Sequence, residues 1–511
     1  MTVADRHDVV IVGAGASGCV LAARLAERGG RTVLLLEAGP APPPDALPAA
    51  LWDERTLPQD HLWSYDGLHG PTDATPVTVV RGRVVGGSGA VNGMIHQRGL
   101  PEEQDAWGVP GWSAAALEPA FARVERDLDA GDRTGRVPLR RLGREHWAPS
   151  HRALHDAARD LGAPANPDLL HAHHQGVGPY ARNADGGRRL SAAATYLAPA
   201  LRRPTLTVRG DAHVERVVVD RGRATGVDVV LDGRRRRIDA GEVVLAAGAI
   251  ETPQLLTHSG IAARADLDRL GIVPVVELPG VGAGLSDHPS VVLAVRFGPA
   301  VRHGDPRFLV GLVHTSARGA LEGRRSDLQT LVMSGTWIAD GHLPPPPDPR
   351  TVDGVVTPIL YAPESTGRVE VVADDPRRRP RVHYGYLEPP GDRERLRDAV
   401  RHAARMLEHD AFAAIVVDPG TTPSGIPDRR TLEDDALLDR WIRGRLRTTL
   451  HGCGTCRMGP DGDPAAVVDA DCRVRGVDGL RIVDLSIVPR APSAPTHALA
   501  LAIAEHAADR I

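Results

Sequence analysis

The sequence predicts an α/β fold: a parallel sheet flanked by helices, with an α+β region inserted between its strands. Three observations carry this. An apolar run near the start ends in a glycine-rich turn followed by a helical pattern. A second glycine-rich loop follows residue 80. Strand-like segments recur in the middle and near the end of the chain.

Val9-Val10-Ile11-Val12 is apolar without alternation, the pattern of a parallel strand buried on both faces. Gly13-Ala14-Gly15-Ala16-Ser17-Gly18 follows, and then a helical pattern (Val20, Leu21, Leu25) that stops at Gly29-Gly30, a C-cap signal. A second apolar strand over residues 32–36 ends in Glu37. This is the start of a Rossmann-like dinucleotide-binding unit. Gly13 allows the tight turn, Gly15 lets a pyrophosphate approach the backbone, and Gly18 lets helix and sheet pack closely. The phosphates would lie on the helix N-terminus at Ala16 and Ser17, where backbone N–H groups are unpaired. Glu37, about twenty residues after the glycines, is placed to accept a ribose hydroxyl. The motif alone does not separate a nicotinamide from a flavin dinucleotide.

Composition narrows the class. At 511 residues the chain can hold about two domains. None of its 61 basic residues is lysine, which excludes Schiff-base chemistry and the P-loop lysine of nucleotide hydrolases. Net charge is −4, and the longest basic run, Arg234 to Arg237, follows the turn signal Asp232-Gly233. A solvated turn is expected there rather than a nucleic-acid site. No run approaches the eighteen or so apolar residues of a membrane helix. The first strand at Asp8 leaves no room for a signal peptide, so cytoplasmic residence is the expectation.

Two clusters have metal-like spacing. Cys453-Gly454-Thr455-Cys456 fits a dithiol pair or half a zinc site, but no second C-x-x-C exists among the four cysteines. His171-Ala172-His173-His174 lacks a nearby Cys or Glu to close a site and precedes a Gly-rich loop, so a solvated or rim-lining cluster is expected and no metal.

Four further motifs carry a family resemblance. Arg81-Gly82-Arg83-Val84-Val85-Gly86-Gly87-Ser88-Gly89-Ala90-Val91-Asn92-Gly93-Met94-Ile95 can wrap a bulky cofactor. Residues 243–261 run through Ala247, Gly248, Thr252 and Pro253. Near the end stand His451-Gly452-Cys453-Gly454-Thr455-Cys456-Arg457-Met458-Gly459 and a segment from Gly479 through Asp484 and Ser486 to Pro489. With the N-terminal unit, these resemble the glucose–methanol–choline (GMC) oxidoreductases, FAD enzymes that oxidise alcohols. The resemblance is weakest over residues 290–440, where that family builds its substrate domain.

What the resemblance implies follows residue by residue. FAD would be held by the N-terminal glycines with Glu37 and Ala38. The second loop would add Arg81, Gly82, Gly87, Ser88, Asn92, Gly93, Met94 and Ile95. Val214 would contact the adenine, with Ala247, Gly248, Asp484 and Leu485 further along and His497, Ala498 and Leu499 at the last helix. Some members attach FAD through a histidine in the second loop. Val91 stands there, so non-covalent FAD is expected. The motifs imply an FAD-binding domain in residues 1–150, 191–290 and 445–511, a substrate-side connecting segment in 151–190 and a substrate-binding domain in 291–444. Within the last, a partial helical stripe runs from Arg393 to Leu407, and Pro344 to Pro347 reads as a stiff surface loop. Residues 498–511 read as a last helix with apolar and charged faces.

His451 matches the family's catalytic base, which takes the alcohol proton as hydride leaves carbon for flavin N5. A neutral imidazole suits this because its unperturbed pKa lies near working pH. The family's second histidine or asparagine falls at Pro495, which has no donor, and His497 two residues later becomes the candidate. The implied partner is a small alcohol. Oxygen, a quinone or a mycofactocin-type cofactor are the acceptors open to it, and the Pro495-Thr496-His497 ending is similar to the mycofactocin-associated branch. Few aromatic residues argue against a cation–π cage for choline. The alternative on the same fold is a hydroxynitrile lyase without net redox. A nicotinamide dehydrogenase is opposed by the second loop and the C-terminal motifs.

Overall fold

The computed structural model describes residues 6–43, 46–70, 75–131, 134–171, 175–305, 307–335, 348, 350–418 and 425–511. Residues 172–174 of the histidine cluster and the 344–347 proline run lie outside them.

Strand β1 (Arg6–Val12) lies at the centre of a seven-stranded sheet. It pairs in parallel with β2 (Val33–Leu36) on one side and Arg234–Leu245 on the other. Leu206–Arg209 extends the sheet beyond β2, and Leu480–Ile482 extends it beyond Arg234–Leu245, both in parallel. Helix α1 (Ala16–Arg28) makes the first crossover. The unbroken apolar runs are explained by burial on both faces: Val9 to Val12 and Val33 to Leu36 are each at most 5% exposed.

Arg234–Leu245 serves two pairings. Its end lies in the parallel sheet, while its start pairs antiparallel with Arg223–Leu231, which pairs in turn with Ala212–Asp220. The connecting loop is Asp232 and Gly233, with φ of 53° and 71°, a primed hairpin turn. The four arginines therefore begin a strand instead of forming the turn, with their side chains in solvent.

A second, eight-stranded antiparallel sheet carries the other core. Its strands include Leu293–Phe297, Val310–His314, Leu328–Ser334 and Val352–Leu360. Helix Pro390–Leu407 packs against it through Leu396, Ala399, Val400 and Ala403 of the expected stripe. Arg393 is outside the stripe and donates to the Leu387 carbonyl.

The last helix, His497–Ala508, departs from expectation. It is buried nearly all round instead of presenting a charged face to solvent, because α1 and helix Ala114–Val124 cover it. Its Glu505 is fully buried and paired with Arg24 and Arg123. Among the described residues, no helix is long and apolar enough to cross a membrane.

All four cysteines are buried and free. Burial pushes the Cys453 and Cys456 thiols well above their ordinary range, which opposes the thiolate that dithiol exchange or zinc binding needs.

Candidate functional site

A cavity of about 760 Å³ opens at the carboxyl ends of β1, β2 and Arg234–Leu245 and runs to one face of the antiparallel sheet. This is where ligands lie in open parallel sheets. Its size suits a cofactor with substrate beside it.

The nucleotide end is built from the two glycine loops. A Cβ on Gly18 would lie 1.9 Å from the Gly13 carbonyl oxygen, so only glycine lets α1 start this close to the β1 turn. A Cβ on Gly87, which has φ +53°, would lie 2.7 Å from Gly15 Cα, so the second loop rests on the first. Gly15 differs. Its nearest neighbour would be 4.0 Å away, and the residue lines the cavity where α1 begins without a side-chain cap. That is an open cradle for a phosphate at a helix N-terminus.

Glu37 lines the same end and is 6% exposed. Ala14 N–H donates to its Oε2 at 3.0 Å and Gly39 N–H to its Oε1 at 2.8 Å. Burial raises its carboxyl above the ordinary range, and lone pairs remain for a hydroxyl. Asp484 ties the ends of two elements together: Gly248 N–H (2.8 Å) and the Thr252 hydroxyl (2.7 Å) donate to Oδ2, and Ser486 N–H (2.7 Å) to Oδ1.

The cavity brings together Gly13, Gly15, Ala16, Ser17, Glu37, Ala38, Arg81, Gly82, Gly87, Ser88, Asn92, Gly93, Met94, Ile95, Val214, Ala247, Gly248, Asp484, Leu485, His451 and His497. Gly18, Ala498 and Leu499 do not line it. Gly18 is consumed by packing. On the last helix the cavity-facing positions are His497 and Ala500, three apart, which turns Ala498 and Leu499 into the core.

His451 follows strand Leu446–Thr448 in a loop anchored by Asp287. His451 N–H donates to Asp287 Oδ1 at 2.7 Å, and Oδ2 accepts from the hydroxyls of Tyr386 (2.6 Å) and Thr448. The imidazole Nδ1 lies 2.9 Å from His288 Nδ1 and 3.0 Å from the Thr449 hydroxyl. That hydroxyl donates to the His288 carbonyl at 3.1 Å, leaving its lone pair to accept from His451 Nδ1–H. The His288 ring fits the same tautomer. Its Nε2 is buried with no partner, and its Nδ1 accepts when the shared proton is on His451 Nδ1. The His451 proton then sits on Nδ1 and the lone pair on Nε2, the nitrogen left for the cavity.

Burial, with a smaller contribution from the Arg81 charge, pushes His451 down to about 3. This corrects the expectation of a base titrating near neutrality: the imidazole is already unprotonated far below working pH. His497 opens the last helix with its ring against the second loop, where a Cβ on Gly89 would lie 2.8 Å from Cε1. Its Nε2 is buried with no partner, and burial holds it near 3. Pro495 lines the cavity too, with no side-chain donor to offer.

Sequence reading missed Asp287, His288 and the sheet wall of Gln329, Leu331, Met333, Ile359 and Tyr361. The alternation of residues 329, 331 and 333 marks one strand face, but nothing local says which face meets a ligand. Asp287-His288 carried no spacing signal.

Comparison with known proteins agrees with the architecture. The GMC oxidoreductase family models match residues 7–290 and 363–504. An uncharacterized GMC-type oxidoreductase from Rhodococcus erythropolis is 36% identical, covering 99% of this chain and 98% of that one. An oxygen-dependent choline dehydrogenase from Vibrio vulnificus is 32% identical over 99% of this chain and 94% of its own. The crystal structure of pyridoxine 4-oxidase from Mesorbium loti superposes with a TM-score of 0.86 at 29% identity, covering 98% of each chain. Two nucleotide loops on a parallel sheet, a histidine-bearing C-terminal segment and matches over both ends of the chain lead to one conclusion: the protein belongs to the GMC oxidoreductases and is an FAD-dependent enzyme of alcohol oxidation.

Proposed function

We propose that this cavity oxidises a small alcohol to its carbonyl, with His451 as the base and His497 as the second polar group at the reacting carbon. The carrying observation is that both imidazoles, one with an orphaned buried nitrogen, converge on a cavity whose far end is the Gly15 cradle.

FAD, when bound, supplies the hydride acceptor. Gly15, Ala16 and Ser17 would hold its phosphates, Glu37 a ribose and Val214 the adenine. Val91 has no nucleophile, so the cofactor would be held without a covalent bond.

The rest is the work of this chain. His451 Nε2 takes the hydroxyl proton while Thr449 and His288 keep the opposite proton on Nδ1. Asp287 fixes the loop by its bond to the His451 backbone. His497 Nε2–H stabilises negative charge developing on the substrate oxygen, and the apolar sheet wall excludes water. Oxygen, a quinone or a mycofactocin-type cofactor remain the acceptors considered.

The test is anaerobic reduction by alcohol, followed by bleaching of the flavin band. His451→Ala should keep its flavin and lose about a hundred- to ten-thousand-fold in reduction rate. Reduction within a few-fold of the parent enzyme would assign the base elsewhere. A lyase would leave the flavin oxidised with every alcohol.

A further inference from the structure

We propose that the alcohol oxidised here is uncharged with an apolar body, and that the cavity wall disfavours quaternary ammonium alcohols such as choline. This rests on the reading that the cavity oxidises an alcohol at His451.

The substrate end is one face of the antiparallel sheet, and its lining is Val292, Leu331, Met333 and Ile359 with Phe308 packed against them. The polar side chains on this face are largely satisfied within the wall. Gln329 Oε1 accepts the Tyr361 hydroxyl, and Gln329 Nε2 donates to Gln97 Oε1 at 3.2 Å. The Ser290 hydroxyl donates to the Arg447 carbonyl at 3.2 Å. Thr357 keeps a buried hydroxyl without a partner, enough for one neutral polar contact and too little for a charge.

A buried cation needs a counter-charge or an aromatic cage. Among the described residues, the carboxylates that line the cavity are engaged. Glu37 and Asp484 each accept backbone N–H bonds, and Glu251 accepts the Tyr65 hydroxyl at 2.8 Å and Arg379 at 3.3 Å. On the His451 side the described charged side chains lining the cavity are the cations Arg81 and Arg447, while the Asp287 carboxylate behind His451 is engaged by the His451 N–H and the Tyr386 and Thr448 hydroxyls. Nor do the described aromatic side chains of the cavity form an open cage. The Trp63 ring already has Arg379 at 3.6 Å and Arg83 at 4.5 Å, and Tyr361 packs edge-on against His288 at 4.5 Å. Of the other described aromatic side chains lining the cavity, Tyr65 is held at Glu251 by its hydroxyl and Phe308 packs against the apolar wall. The wall thus offers a bulky alkyl or aryl group dispersion and desolvation, and offers a trimethylammonium group an uncompensated charge. Overall likeness to a choline dehydrogenase does not carry over to this wall.

The experiment compares choline with its carbon isostere, the alcohol with tert-butyl in place of trimethylammonium. The two match in shape and differ in charge. Anaerobic reduction of the FAD-loaded enzyme should favour the isostere by at least about a hundred-fold in kcat/KM. Met333→Glu, set beside Met333→Gln as a neutral control, should move that ratio toward choline by at least about ten-fold. Choline equal to or better than the isostere would overturn the substrate class and leave the proposed oxidation standing. If neither isostere nor a panel of neutral aryl and alkyl alcohols bleaches a fully loaded flavin, the oxidation reading fails and this proposal with it.

Discussion

His288→Leu tests the tautomer argument. His288 is fully buried and leucine approximates its volume, so the change chiefly removes the nitrogen 2.9 Å from His451 Nδ1. The His288 backbone carbonyl stays, and with it the Thr449 hydroxyl bond that holds a second acceptor 3.0 Å from Nδ1. One of two acceptors for the same proton is lost. Losing one partner of a buried hydrogen bond costs about 1–3 kcal/mol. If that cost falls on the reactive geometry, anaerobic reduction slows by about five- to a hundred-and-fifty-fold. Adding Thr449→Val removes the second acceptor, and the double variant should approach the about hundred- to ten-thousand-fold loss of His451→Ala. Stopped-flow flavin bleaching gives the rates, and flavin content with thermal melting monitors folding. The reasoning is refuted if His288→Leu stays within about two-fold of the parent, or if the double variant is no slower than the single.

Other consequences are open to measurement. Gly15→Val should fold, since nothing lies within 4 Å of its Cβ except one oxygen at 4.0 Å, yet be colourless because the side chain fills the phosphate cradle; a yellow protein of normal flavin content would contradict this. Acid precipitation of the parent enzyme should release flavin to the supernatant, and colour that stays with the pellet would mean a covalent link. His497→Ala should lower flavin reduction about a hundred- to a thousand-fold with FAD retained, while Pro495→Ala changes it little; a silent His497→Ala would confine that residue to its backbone. Stability should fall as pH drops below 6.5. His151, with both ring nitrogens unpartnered, and His451 and His497 are held near 3 when folded, so the unfolded chain binds protons that the folded chain refuses. Each contributes about 1.4 kcal/mol of destabilisation by pH 5.5, and the effect levels off near pH 3. Equal melting temperatures at pH 7.5 and 5.5 would contradict it.

The sequence by itself determined the βαβ start, because Gly13, Gly15, Gly18 and Glu37 act within one contiguous unit whose turn, helix cap and strand runs are local. It determined the family by the same logic, since each motif is a short segment with its own backbone demand. Tertiary structure decided the rest. Val243 to Leu245 is apolar as a buried strand should be, but nothing local shows that the arginine run Arg234 to Arg237 begins the same strand or that the strand serves two pairings. The last helix carries Glu505 among apolar residues, and only packing shows Arg24 and Arg123 neutralising it in the core. The base looked ready to titrate near neutrality, and burial moved it to about 3. His288 comes within 2.9 Å of His451 from 163 residues away, and the sheet wall gathers residues 290–361 around them. Desolvation, tautomer choice and substrate fit depend on what surrounds a side chain in three dimensions, which spacing along the chain does not encode.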